Sequence, residues 1–90
     1  MAEKSEEHVR RIEAVVGVLK EIGQSHIIPR NIRRTADSAI EAVRDRAVSP
    51  GIRAANAVSI LEGILNDPNM PSFARVKIWN AISELETIRD

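Results

Sequence analysis

Prolines stand at positions 29, 50 and 71, one every 21 residues. A proline opens or ends a helix, because it lacks the backbone N–H and its ring clashes with the preceding turn. A chain punctuated this way is held to helices of about 16 residues joined by short turns, rods of ~25 Å. Each proline is followed by an arginine three or four residues on: Arg33, Arg53 and Arg75. Such a period suits short helical-hairpin repeats or four matched helices in one bundle.

The apolar pattern between the punctuation marks is helical throughout. Ser5 is placed to cap a first helix, with Glu6 and Glu7 complementing its dipole. Val9, Ile12, Val16, Leu19 and Gly23 follow at helical spacing, flanked by Val15 and Ile22, and Gly23 reads as the stop. Pro29 opens a second helix with the stripe Ile32, Ala36, Ala39, Ile40, Val43 and Ala47. Ser49-Pro50 caps and opens a third, whose stripe is Ala54, Ala57, Val58, Leu61, Ile64 and Leu65. Ile52 and Ile60 lie outside that stripe, so the third helix is expected to be touched on more than one side and to be the best buried. Pro68 ends it within the turn Asn66-Asp67-Pro68-Asn69-Met70-Pro71, and Pro71 opens the last helix, with Ala74, Ile78, Ala81, Ile82, Leu85 and Ile88. The expected fold is all-α: a single domain over residues 1–90, an antiparallel four-helix bundle with helices near 5–23, 29–47, 50–66 and 71–89. Two HEAT-like helical hairpins are the alternative.

Composition narrows the function more than the fold. Thirteen basic residues balance thirteen acidic ones, so the chain lacks the electrostatic footprint of a dedicated nucleic-acid binder. There is no cysteine, hence no disulfide, thiolate nucleophile or cysteine-ligated zinc. No apolar run is long enough to span a bilayer, and the charged start does not resemble a secretory signal. A soluble, cytoplasmic protein without membrane association is expected. Arginine outnumbers lysine ten to three, and arginine is the side chain suited to forked contacts with carboxylate or phosphate.

Several segments together resemble a known family. They are Ile28-Pro29-Arg30-Asn31-Ile32-Arg33-Arg34, Ile52-Arg53-Ala54-Ala55-Asn56-Ala57 and Asn66-Asp67-Pro68-Asn69-Met70-Pro71, with Ile78-Trp79 and Leu85-Glu86. The chain is similar over most of its length to a family of short archaeal all-helical proteins catalogued only as an uncharacterised protein family. The resemblance implies a four-helix bundle of this length. It implies no activity, cofactor or catalytic residue.

The residues themselves offer two surfaces. Arginine is electrostatically unfavourable in the first turn of a helix, so Arg30, Arg33, Arg34 and Arg75 are candidates for contact with an anion or RNA. The bland reading pairs them with local acids: Asp37 stands one turn beyond Arg33, and Trp79 stands where Arg75 can stack on it. Arg53 has only Ala57 at that distance, so a structural, non-local partner is expected for it. On the last helix, Val76, Trp79 and Ser83 lie opposite the core stripe and form a candidate partner surface. Asn56 and Asn80, mid-helix, are read as structural hydrogen-bonding residues. His8 and His26 lack metal-ligand spacing. The serines lack any nucleophile-elbow or glycine-rich context, and no phosphate-binding loop occurs. No enzyme, cofactor or metal is therefore expected. The first expectation is an interaction module that binds a protein partner or self-associates; RNA or ribosome association through the arginine-rich start of the second helix is the alternative.

Overall fold

A computed structural model describes the backbone of residues 2–90 and the side chains from Glu6 onward. Four helices make up the chain: α1 (Ala2–Gln24), α2 (Arg30–Val43), α3 (Pro50–Glu62) and α4 (Ser72–Leu85). They pack as a ring, α1 on α2, α2 on α3, α3 on α4 and α4 back on α1, in a rod of 42 × 18 × 18 Å. Cross-helix contacts give the directions. Glu13 of α1 meets Arg44 beyond the end of α2, Glu21 meets Lys77 near the start of α4, and Asn31 at the start of α2 meets Asp67 after α3. Every neighbour is antiparallel, as short connections require. The bundle stands, and the hairpin-repeat alternative falls away, because α1 and α4 close the ring.

Helix boundaries differ from the periodicity for local reasons. The backbone of α1 is already helical at Ala2, so Ser5 lies inside the helix rather than at its cap. α2 stops at Val43 and not at 47, because the Asp45 carboxylate accepts the Ala47 amide at 2.9 Å. Such a side-chain turn competes with helix continuation. Ala47 is consequently exposed, and half-buried Val48 turns toward the core in its place. Beyond Glu62 the chain tightens into bonds three residues apart, Gly63 to Ile60, Ile64 to Leu61 and Leu65 to Glu62. Ile64 stays buried through this stretch. After Leu85 a similar tightening, with Thr87 Oγ1 donating to the Glu84 carbonyl, still buries Ile88.

The three turns share one design. Ser25, Asp45 and Asp67 each accept, through the backbone carbonyl, the amide three residues later, at 3.4, 3.4 and 3.1 Å. The donors, Ile28, Val48 and Met70, are apolar residues facing inward. The next residue in each case is the helix N-cap: Pro29, Ser49 and Pro71. Pro29 and Pro71 thus stand just outside their helices, whereas Pro50 stands just inside, behind Ser49, whose hydroxyl accepts the Ile52 amide. The equal proline spacing hides a repeat that is aligned on the caps instead. In that register the arginines are equivalent: Arg33, Arg53 and Arg75 each lie four residues after the cap and donate their amides to its carbonyl.

The core is aliphatic, and α3 is not its best-buried member. α1 buries Ile12, Val15, Val16, Leu19 and Ile22, and α4 buries Ala74, Ile78, Ala81, Ile82 and Leu85, while α3 buries only Ala54, Ala57 and Leu61. In a four-membered ring every helix has two neighbours and none is central, so the surplus apolar residues of α3 spill outward; Ile52 is 49 % exposed. Val9 of α1 is likewise exposed. Gly23 does not end α1 by a left-handed turn, since no glycine among the described residues has positive φ. It permits close approach instead: a Cβ there would lie 2.5 Å from Asp37 Oδ1 of α2. Leu61, fully buried between its neighbours, is expected to lose about 2–5 kcal/mol on replacement by Ala, measured by urea unfolding.

Candidate functional site

At the end of the rod where α2 and α4 begin, the arginines divide into two kinds. Arg75 turns back over the α3–α4 turn: its Nη1 donates to the Leu65 carbonyl and its Nη2 to the Asp67 carbonyl at 3.3 Å. It therefore satisfies carbonyls that the end of α3 leaves open. Arg33 occupies the same register on α2. Its Nε is buried and finds no acceptor among the described residues, and the expected Arg33–Asp37 pair is not among their ion pairs. Arg30 and Arg34, in contrast, are exposed. Of the four arginines proposed from sequence for an anion or RNA, Arg30 and Arg34 present themselves to solvent while Arg75 is engaged by the fold.

Asp67 organises this end. Its Oδ1 accepts the Asn69 amide at 2.8 Å and its Oδ2 accepts from Asn31 Nδ2 at 2.8 Å. The Asn69 amide first, and then the Asn31 side chain, hold its carboxyl below the ordinary 3.8, with the charge of Arg75 adding to them against a small desolvation. The Asn31–Asp67 bond ties the start of α2 to the end of α3. Neither residue carries a periodicity signal; the Asp-Pro-Asn run of the turn was the available clue.

At the other end Arg53 corrects an expectation. Its Nε donates to the Val48 carbonyl, five residues back, at 2.9 Å. The partner is local and on the backbone, not a distant acid, because the turn brings that carbonyl under the first turn of α3. The α3 amide end is covered by Asp90, whose Oδ1 accepts the Gly51 amide at 2.8 Å and whose Oδ2 accepts from the Ser49 hydroxyl at 2.6 Å. A side chain at Gly51 would press on that carboxylate, 2.8 Å from its Oδ2. Arg44 approaches Glu13 of α1 at 3.7 Å. Arg11 pairs with Glu7 as one turn of helix allows, and also donates to Thr87 Oγ1 at 2.6 Å, fastening α1 to the end of α4.

The outer face of α4 carries the sequence-proposed partner surface. Val76 is 58 % exposed and Trp79 54 % exposed, with Ser83 also exposed and in line, and Phe73 44 % exposed beside them. Spacings of three and four residues place Val76, Trp79 and Ser83 on one seam opposite the buried Ala74, Ile78, Ala81 and Leu85. Asn56 and Asn80 are exposed. Among the described residues no three His, Asp or Glu side chains gather as metal ligands, and no helix is long and apolar enough to cross a membrane.

A family model described as Uncharacterised protein family (UPF0147) matches residues 1–88. The chain belongs to the UPF0147 family. Its archaeal relatives include the UPF0147 protein of Saccharolobus islandicus, 50 % identical over 80 residues that cover 89 % of this chain and 90 % of the relative. That of Aeropyrum pernix is 48 % identical over 80 residues, covering 89 % and 88 %. Two solved structures share the fold. The crystal structure of the unknown-function protein MMP1188 matches with a TM-score of 0.87 at 39 % identity, covering 89 % of this chain and 91 % of that one. The UPF0147 protein from Thermoplasma acidophilum matches with a TM-score of 0.85 at 27 % identity, covering 93 % and 99 %.

Two outcomes separate structural from exposed residues at the α2/α4 end. Arg75→Ala is expected to destabilise by about 1–3 kcal/mol, since buried carbonyls lose their donor, whereas Arg34→Ala stays within about 0.5 kcal/mol; urea midpoints report both. The lowered Asp67 pKa stabilises the fold fully above 3.8, and that contribution is lost as pH falls through the lower folded value. The difference in urea midpoint between the native chain and Asp67→Ala is therefore expected to narrow from about pH 5 to about pH 2.

Proposed function

We propose that this protein is a non-enzymatic interaction module that self-associates through the outer face of α4. The observation that carries this reading is the exposure of Val76 and Trp79 on one seam, with Phe73 beside them. Large apolar side chains grouped on one face are favoured at interfaces, and tryptophan is prominent among the residues that dominate binding energy.

A second copy is the occupant that the seam suits best. Two α4 helices laid antiparallel about Trp79 superpose this seam on itself, and the nearby charges do not oppose the approach, since Arg75 is held by the α3–α4 turn, Lys77 by Glu21, and Glu84 lies near Arg11. Val76 then faces the small Ser83 of its mate, and the two Trp79 rings meet at the two-fold axis. Such an arrangement is self-complementary, as a two-fold interface must be. A seam built from a few side chains of one helix suits a weak association, which is expected to be concentration-dependent.

Sedimentation equilibrium over a concentration series tests the reading. A mass rising above the 10.0 kDa chain, and returning to it in Trp79→Ala and Val76→Glu with helical content unchanged, is the expected result. A single-chain mass at every concentration, or an association untouched by both substitutions, overturns it. RNA association through Arg30 and Arg34 is the competing reading, and it predicts salt-sensitive retention of RNA that Arg30→Gln with Arg34→Gln abolishes.

A further inference from the structure

At the end of the rod away from Asp67, the start of α1, the end of α2 and the start of α3 enclose a cleft of about 360 Å³. Val9, Ile12 and Val43 form its apolar wall, and Arg44, Arg46 and Arg53 line it together. Among the described residues Glu13 is the one acid in that lining. We propose that this cleft binds a small organic phosphate monoester, the phosphate held by the three guanidinium groups and the organic body lying on the apolar wall.

The arrangement is costly without an anion. Three like charges around one cleft repel each other, and a single carboxylate offsets only part of that. The carboxyl-terminal dipole of α2 accounts for Arg44. It does not account for Arg53, which stands at the positive end of α3. There the bond from Arg53 Nε to the Val48 carbonyl fixes the plane of the guanidinium, and its two terminal nitrogens make no hydrogen bond among the described residues. A guanidinium oriented through Nε with both terminal nitrogens available is arranged for forked contact with phosphate oxygens. Arg46 is exposed, and Arg44 stands 3.7 Å from Glu13, wider than a hydrogen bond. Both can therefore turn to a ligand without breaking the core.

The apolar wall favours a monoester over bare phosphate. Val9 is 59 % exposed although it belongs to the apolar run of α1, and it flanks the buried Ile12 and Val43. The volume falls in the ~300–1,000 Å³ range of the usual small-ligand sites, and the lining is divided between three apolar and four charged side chains, as a ligand with an apolar body and an anionic head requires. The amide end of α3 is not part of the proposed site, since Asp90 covers it. The site also lies apart from the outer seam of α4, so its test does not depend on self-association.

Phenyl phosphate titrated into the methyl-labelled full chain, followed by NMR, tests the proposal, with inorganic phosphate as the head-group control. Saturable shifts at Val9, Ile12 and Val43 are expected, and tighter binding of phenyl phosphate than of inorganic phosphate. Arg44→Gln with Arg46→Gln, both on exposed side chains, is expected to weaken binding about tenfold or more. Arg30→Gln with Arg34→Gln leaves it unchanged, and Glu13→Gln tightens it by removing the competing carboxylate. No saturable shift in those methyls, a saturation indifferent to Arg44→Gln with Arg46→Gln, or an equal loss in Arg30→Gln with Arg34→Gln overturns the assignment.

Discussion

Each turn of this bundle has to reverse the chain within a few residues and still satisfy the carbonyls that the preceding helix leaves open. The same solution appears three times. A carbonyl accepts the amide three residues on, an apolar side chain plugs the end of the core, and a capping residue starts the next helix. At two of the three turns an arginine four residues into that helix completes the unit. Arg75 bonds back to Leu65 and Asp67, and Arg53 bonds back to Val48. A cation near a helix start is opposed by the dipole, but here the guanidinium lies over carbonyls, which are negative. The local contact outweighs the axial field because that field is screened and falls off within a turn, whereas a charged hydrogen bond contributes about 1.5–3 kcal/mol.

That unit explains what could be read from the residues and what could not. Prolines, the Ser49 cap and the aliphatic stripes are local signals, and they yielded four helices in the right places. The ends went astray where a side chain competes for the backbone. Asp45 takes the Ala47 amide and stops α2 early, and no count of apolar positions contains that bond. The repeat itself was visible as prolines, but its register was displaced by one at Pro50, because serine fills the cap role that proline fills at 29 and 71. Once aligned on the caps, the three arginines become one structural position.

The charged contacts were the least legible part. Sequence distance suggested Arg33 with Asp37, one turn apart along one helix. In the bundle Arg44 approaches Glu13 of α1, and Asn31 reaches Asp67 across 36 positions of chain. Those contacts depend on which helices are neighbours and at what height, which is tertiary information. The cleft lined by Arg44, Arg46 and Arg53 is of the same kind. Its arginines are spread over a helix end, a turn and a helix start, and its walls come from α1. No motif joins them, so anion-binding patterns in the sequence do not mark the place where three arginines line one cleft.

The distribution of apolar residues carries a further consequence. α3 and α4 are both more apolar than a helix in a four-membered ring requires, because a ring buries one stripe of each helix and no more. In α3 part of the excess packs against the neighbouring helices, where Val58 and Ile60 lie partly buried on the core, while Ile52 stays exposed. Between α3 and α4 the small residues Gly51, Ala55 and Ser59 leave a shallow groove rather than a tight seam. In α4 the excess has no such outlet. Val76 and Trp79 lie opposite the core stripe, beyond the reach of α1 and α3 alike. Large apolar groups in that position contribute little to folding the single chain, since they remain half in water. Their removal from water requires another surface, and the second copy proposed above supplies one, because the seam of Val76, Trp79 and Ser83 is matched by its own antiparallel image.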